Sequence, residues 1–417
     1  MPHRFETYPL LDALIHRRSR RFARGFRLDG GPLAFLSRHA PKPLSLEEEA
    51  ALAFAACGTT GPIAADLPYD SGGQIMMRFT GRTAPSGDAL HTVSVIVIND
   101  DGVWLLKRPQ DYPPQEVPAL AQAAREHRLV DLYQTARVQI ADRRLDIPRT
   151  QPFLPSFNQW SANLPGTTYF VPVNEYTAIY INMVLTAVGE DFGYFVLDDR
   201  AGFQPAGLAP FARSQGGHLL DSPEAGRVAT ISFLESWLYE LVAVEQGAIL
   251  QNLGLMAEAL GLGGFPHFAA HPFIWFQTLG FRMQEIPMMG LAVPSAVGLE
   301  RDGDPLLRPF CPPYYADMRA AVLAFVDTKY RPNSGTFRDG GASTAWRHPT
   351  EVQGGIPEYS QATIDAAIAY CDYVYSAYGR FPGSCGPFRT VLAYQAHHLD
   401  PEFYERYYNS PESASSS

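Results

Sequence analysis

One stretch constrains this chain more than any other: an apolar-periodic run that begins near Thr230 and is closed by Gly261, Gly263 and Gly264. Ile249, Leu253, Met256 and Leu260 recur at the spacing of one helical stripe. Beside them Leu250, Gly254, Ala257 and Gly261 make another stripe, mostly of small residues. A helix with one large and one small stripe is apolar nearly all round, so the run predicts an interior helix. Gly254 costs that helix about 1 kcal/mol relative to alanine, and a small residue there lets another element pack close. The glycines end it, because glycine takes the left-handed C-cap conformation readily, and Pro266 keeps it from restarting.

The remainder of the chain has to supply the partners of this rod. At 417 residues, 46% apolar and 18% charged, it has ample material for a large core. A formal charge of −10 argues against a general nucleic-acid binder, which needs a net basic face. Cys57, Cys311, Cys371 and Cys385 are far apart and form no CxxC pair, which suits reduced thiols in a cytoplasmic protein. No apolar run reaches the length of a membrane span, and the basic N-terminal residues are followed by no secretory-type apolar stretch.

Along the chain, Ser45 and Glu48 read as a capping box opening a helix to about Cys57. Thr92–Ile98 and Val103–Lys107 read as strands joined at Asn99-Asp100-Asp101-Gly102. Residues 118–143 are expected to be helical, with Pro118 in the first turn. Residues 145–172, rich in Pro, Asn, Phe and Trp, are expected to be an insertion or lid. A helix over Tyr176–Leu185 and a short strand at Tyr194–Leu197 precede the central helix, expected from Pro223 to Gly261. Strand material follows at Phe281–Met289 and Gly290–Val293. Helices are expected around Tyr315–Asp327 and over Tyr359–Tyr378, then a last strand or helix to His397-His398, with 409–417 a disordered tail.

Three places could carry chemistry. His16-Arg17-Arg18-Ser19-Arg20-Arg21-Phe22 concentrates four arginines in five positions of an acidic chain. It reads as a solvated basic turn, or as an anion site in which guanidinium forks and the Ser19 hydroxyl grip a phosphate. A twin-arginine export signal would need an apolar segment that is missing. Pro85-Ser86-Gly87 lies in a turn-rich loop whose backbone a planar ligand could approach closely. Pro266-His267-Phe268-Ala269 follows the glycine stop, with Phe273, Trp275 and Phe276 as pocket or core residues. His267 and His271 are flanked by Pro266 and Pro272, which prevent a helical zinc pair. Cys385, in Gly383-Ser384-Cys385-Gly386, reads as a structural thiol in a turn in preference to a nucleophile paired with His397 or His398, because nothing in the sequence marks its pKa as lowered. Gly261-Leu262-Gly263-Gly264 ends a helix and does not follow a strand, so it is not a dinucleotide fingerprint.

In their order along the chain, three of these segments resemble the flavin-dependent nitroreductase family. They are Arg17 to Phe22, Ala84-Pro85-Ser86-Gly87-Asp88-Ala89-Leu90 ahead of a strand, and Gln251-Asn252-Leu253 through Gly263. The Pro-Ser segment is most similar to the branch of azoline dehydrogenases that oxidise peptide heterocycles. The resemblance implies an α+β fold with a mainly antiparallel sheet and packed helices. It also implies an intertwined homodimer with FMN at each of two interface sites, the striped helix being the dimer core. It would cover a core within residues 1–327, with the insertion near 145–172 and a C-terminal extension over 328–408 matching nothing in the family.

Carried over by position, Arg17, Arg18 and Ser19 would hold the FMN phosphate and pyrimidine edge with the help of Arg21. Pro85, Ser86 and Gly87 would approach from the partner subunit. Pro266, His267, Phe268 and Ala269 would lie against the isoalloxazine, the Ala269 amide facing N5. The family often has Glu-Gly where this chain has Phe268-Ala269. Arg380 and Arg389 are the candidates for a C-terminal phosphate contact. The flavin would carry the chemistry, so no catalytic side chain and no metal are expected. The function implied is an FMN-dependent oxidoreductase moving hydride or electrons to or from a small planar or peptide-derived substrate, with NAD(P)H as candidate donor. The competing expectation is a flavin-free relative that uses the same fold as a binding or partner protein.

Overall fold

The computed structural model describes residues 4–66, 78–268, 272–288, 290–342 and 344–409. Ala269, His271 and most of the expected C-terminal tail lie outside these. The helices that frame the molecule are, in chain order, α1 (Leu10–His16), α2 (Leu46–Cys57), α3 (Thr177–Ala187), α4 (Ile231–Ala259), α5 (Met318–Tyr330) and α6 (Gln361–Tyr378). The main sheet is built from β1 (Val93–Asn99), β2 (Gly102–Leu106), β3 (Arg137–Ala141), β4 (Thr167–Glu175), β5 (Gly263–His267), β6 (Phe388–Arg389) and β7 (Ala393–His397). Its spatial order is β5-β7-β4-β1-β2-β3, with β6 also on β4, and every pairing is antiparallel. The fold is therefore mixed α+β around antiparallel sheet.

Local chemistry fixes the ends of these elements. Ser45 accepts from the Glu48 amide (3.2 Å) while Glu48 accepts from the Ser45 amide (2.7 Å), the reciprocal cap the spacing predicts. Asn99 Oδ1 accepts from the amides of Asp101 (2.9 Å) and Gly102 (3.1 Å) and closes the β1–β2 turn. Thr230 caps α4 by accepting from the Phe233 amide (3.2 Å), and Gly261 stops it at φ +74°.

The sheet is covered on both sides. Val93, Val95 and Val97 of β1 face a core shared with α2, α3, α4 and α6. Ile96 and Ile98 face the opposite core, with Trp275, Phe276 and the long hairpin Phe281–Met288/Leu291–Arg301. Two-sided burial explains why β1 reads as a continuous apolar run and not as an alternating one.

Four expectations are revised. Residues 118–143 are not one helix: Val117–Arg125 and Leu129–Ala136 are separate helices, and β3 follows. The break falls where His127 takes φ +55°, which no glycine or proline announces. The expected insertion ends sooner, because its last residues form β4, buried along its whole length. The C-terminal segment is part of the main sheet, since β7 lies between β5 and β4 and β6 also pairs with β4. The central helix begins at Ile231, after a short turn (Pro223–Ala225) and strand (Val228–Thr230). It is also not interior throughout: Phe233 (43%), Trp237 (47%), Leu241 (36%) and Val244 (67%) are exposed along its N-terminal half.

Candidate functional site

The basic segment and the glycine-terminated helix meet. Arg17 is the C-cap of α1, and a methyl group built on Gly254 would lie 3.1 Å from Arg17 Cδ, so the small stripe of α4 is the notch that seats this arginine. Three residues on, Arg20 pairs with Gly264 as an antiparallel bridge on the outer edge of β5. Arg20 Nη2 also donates to Glu258 Oε2 (2.7 Å) and to the Leu262 carbonyl (3.3 Å). Gly264 has to be glycine because the Tyr394 hydroxyl lies where a Cβ would be. Arg18 is exposed and folds back on the carbonyls of Ile15 (2.8 Å) and Arg17 (3.0 Å), and Ser19 is exposed.

Strand alternation splits the rest of the cluster. Gly264 and Pro266 face one side of β5, Phe265 and His267 the other. Arg21 follows the latter pair: its guanidinium lies 4.8 Å from the Phe265 ring and 5.0 Å from that of Trp160. It donates to the Phe157 carbonyl (2.9 Å), Asn158 Oδ1 (2.9 Å) and Ser161 Oγ (3.2 Å), which pins the 142–166 segment to the sheet. Burial lowers its pKa. His267 is 6% exposed and stacks on Phe265 at 4.4 Å. Burial, with the Arg21 charge adding to it, pushes His267 down to about 3, so the ring is neutral. Pro266 and Phe268 are exposed, and the Phe268 carbonyl accepts from Asn158 Nδ2 (3.3 Å).

The Pro85–Gly87 loop lies on the other half of α4. Ser86 Oγ donates to Glu245 Oε2 (2.7 Å) and accepts from the His91 amide (2.9 Å). Glu245 is 1% exposed, ion-paired to Arg82, and accepts from the Val93 amide (2.9 Å) and Thr92 Oγ1 (3.0 Å). This buried carboxylate fastens the loop to α4 and is a site residue that sequence reasoning missed. Between loop and helix runs a groove of about 560 Å³, walled by Pro85, Ser86, Gly87, Trp237, Glu240, Leu241 and Val244, within the size range of ligand clefts. Asp88, Ala89 and His91 hold φ of +53°, +52° and +51°, and a run of left-handed non-glycine residues is strain of the kind that collects at functional loops.

Behind that loop lies another missed residue. Asp88 accepts from Asn182 Nδ2 (2.8 Å), and burial raises its pKa. Lys329, on the last turn of α5, is 0% exposed. Its Nζ donates to Tyr359 Oη (2.7 Å) and lies 5.8 Å from the rings of Phe325 and Phe337. Burial pushes this ammonium down to about 7, against the opposing pull of the Asp88 charge. No spacing pattern marks it, since in the sequence it sits between Asp327 and Arg331 like a surface lysine.

The C-terminal arginines are elsewhere. Arg380, just past the α6 C-cap, donates to the Tyr378 carbonyl (3.3 Å). Burial lowers its pKa, with Cys385 and Glu235 opposing, which places it against the first turns of α4. Arg389 is exposed on β6. Cys385 keeps its proton, burial pushing it up to about 11. Within one chain, then, Arg17 and Arg20 gather at Gly254–Gly264, while the Pro85–Gly87 groove sits near Leu241, about 20 Å away at ~1.5 Å of rise per residue.

No protein-family model matches the chain, and no curated protein matches it. Among solved structures, a candidate nitroreductase from Ralstonia eutropha JMP134 aligns over 67% of this chain and 79% of its own, at 15% identity and a TM-score of 0.32. That likeness is too loose to carry an argument about fold or activity.

Proposed function

We propose that this protein is an FMN-dependent oxidoreductase that moves hydride or electrons to or from a small planar substrate, and that it works as a homodimer in the cytoplasm. The observation carrying this reading is the seating of Arg17 in the Gly254 notch, with the basic segment bridged to β5 at Arg20 and Gly264. Two features fit an anionic group there. Arg17 and Arg18 have no carboxylate partner among the described residues, and Arg20 Nε is buried without an acceptor. Charge-assisted donors of this kind suit a phosphate.

FMN, when bound, supplies the redox chemistry. The chain's own contributions are electrostatic and steric. Arg17, Arg18 and the Ser19 hydroxyl bind the anion, and the Arg20–Glu258 pair fixes the segment that presents them. The apolar wall of α4 excludes water, which strengthens those contacts. Lys329 Nζ, whose pKa burial lowers to about 7, donates to Tyr359 Oη behind the loop wall; whether it takes part in proton transfer is what the Lys329→Met variant tests. NADH or NADPH is the proposed electron donor.

The purified protein is expected to show a flavin absorbance band, to take up FMN after stripping, and to bleach in anaerobic titration with NADH, NADPH or dithionite. A colourless protein that takes up no FMN would overturn the reading in favour of a flavin-free binding protein. Arg17→Ala is expected to weaken FMN retention by roughly 10- to 100-fold, the equivalent of one charged hydrogen-bond donor at ~1.5–3 kcal/mol, with an unchanged melting temperature. Gly254→Ala should separate the two roles of that position. Helix propensity rises by about 1 kcal/mol while the new methyl crowds Arg17, so the expected result is equal or higher stability with weaker FMN binding by equilibrium dialysis.

A further inference from the structure

A smaller cavity, of about 20 Å³, lies where residues 78–80 meet residues 334–339. Two polar groups on its wall have no partner. Arg78 Nε is buried without an acceptor, and among the described residues no carboxylate stands within ion-pairing reach of this guanidinium. Thr336 is 4% exposed. Its amide donates to the Thr328 carbonyl (3.0 Å) and its carbonyl accepts from Gln353 Nε2 (3.1 Å), yet its hydroxyl bonds nothing. Groups left unpaired in this way are costly, charged ones most of all.

The other charges of the neighbourhood are already engaged. Arg108 pairs with Asp111 (3.2 Å) and Arg82 with Glu245. Asp339, also on the cavity wall, accepts at Oδ1 from the Gly341 amide (2.9 Å) and from Gln353 Nε2 (2.6 Å). Arg78 is thus a cation whose donors remain open. Burial pushes its pKa down to about 10, against the pull of Asp111, so it stays charged at neutral pH.

Size and charge narrow the choice of occupant. The cavity exceeds the ~10–15 Å³ that one water needs, but it is far too small for a cofactor. A guanidinium fork presents parallel N–H groups that match a planar, two-oxygen acceptor, and the Thr336 hydroxyl supplies a further donor. The Asp339 carboxylate on the same wall disfavours a second negative charge. Pro109, Pro114 and Val117 line the cavity with apolar surface. A carboxylate with little attached meets all of these conditions, whereas phosphate is bulkier and carries more charge.

We infer that this cavity binds a small monocarboxylate, its oxygens on Arg78 and the Thr336 hydroxyl and its short alkyl end against Pro109, Pro114 and Val117. Ser334, exposed on the lining, marks the mouth. The site is separate from the Arg17 cluster and does not depend on the cofactor. It does adjoin the groove. Thr80, on the cavity wall, accepts at its carbonyl from His91 Nε2 (2.7 Å), and the His91 amide donates to Ser86 Oγ (2.9 Å). An occupant is therefore two hydrogen bonds from the groove wall.

The test is calorimetric titration of the full chain with sodium acetate at constant ionic strength, where saturable one-site binding is expected. Arg78→Met should weaken it roughly 10- to 100-fold and Thr336→Val roughly 3- to 10-fold, the usual worth of a charged and a neutral hydrogen bond. Both variants should melt no lower than the native protein in the absence of acetate, because each removes a polar group that has no partner. Arg17→Ala should leave acetate affinity unchanged. Absence of saturable binding overturns the inference, as does acetate affinity that Arg78→Met leaves intact. Affinity lost in Arg17→Ala would put the anion on the basic segment instead, and phosphate displacing acetate at lower concentration would remove the monocarboxylate preference; either result also overturns it. The flavin reading fails separately, since a colourless protein that binds acetate through Arg78 leaves this site standing.

Discussion

Glu245→Ala is expected to destabilise the fold by about 3–5 kcal/mol, the size typical of breaking a buried ion pair from one side. The reason is what remains. Arg82 and Glu245 are each 1% exposed, so removing the carboxylate leaves a guanidinium charge in a site that water does not reach. The same change takes away the acceptor of the Val93 amide and of the Ser86 and Thr92 hydroxyls. Glu245→Gln keeps an acceptor but not the charge and should fall between the two. The double variant Arg82→Met/Glu245→Leu should recover much of the loss, because a well-packed apolar pair of similar volume can replace a buried salt bridge. Chemical denaturation of the three variants checks this. If Glu245→Ala unfolds at the wild-type midpoint, Arg82 has another partner and the loop is held by something else. The variant also bears on function, since Ser86 loses its anchor and the Pro85–Gly87 wall should loosen, with faster amide exchange confined to residues near 85–92 under native conditions.

How much of this was legible in the sequence depends on whether a feature is local. The capping box at Ser45 and Glu48, the Asn99–Gly102 turn and the cap of α6 at Ser360 are set by residues within a few positions of one another, and all are present. The small stripe of α4 was legible too: Gly254 announced a close approach, and Arg17 makes it. β4 was hidden because Thr167–Glu175 contains Pro172 and Asn174, residues that speak against a central strand. It is central all the same, with Pro172 opposite Val95, and its polar residues find partners only through tertiary contacts. β7 was hidden for a related reason, since its place between β5 and β4 depends on strands far away in the chain. Of the site, the basic segment and the helix end were foreseen as neighbours. The turning of Arg21 to the opposite face of β5 follows from pleat alternation, which cannot be applied until the register is known. Glu245 and Lys329 were missed because each has other charged residues near it in the sequence, Glu240 beside the one and Asp327 and Arg331 beside the other, and so looks like a surface position until burial is seen.

Lys329→Met is expected to produce opposite effects on stability and on turnover. Burial lowers this lysine's pKa from 10.5 to about 7 in the folded chain, while in the unfolded chain it keeps its ordinary value. Between those two values the unfolded state binds more protons, so the native protein gains stability from this group as pH rises from about 7 toward 10. Below 7 the cost of the buried ammonium is present in full, on the order of a few kcal/mol at ~1.4 kcal/mol per pKa unit. Met has similar length, no charge to desolvate, and three aromatic neighbours in Phe325, Phe337 and Tyr359 to pack against. The variant should thus be more stable than the native protein at pH 6–7, with the advantage shrinking toward pH 10. Paired thermal melts across that range test the sign, and a constant difference would mean that the lysine does not titrate there. Turnover should move the other way. If Nζ carries the proton that accompanies substrate reduction or oxidation, Lys329→Met should lower kcat by 10²- to 10⁴-fold, the usual worth of a positioned acid or base, with FMN affinity unchanged. It should also erase the limb of the pH–rate profile near 7. A variant that is more stable, still yellow and fully active would show that the buried lysine serves the packing of α5 against the 85–91 loop and takes no part in proton transfer.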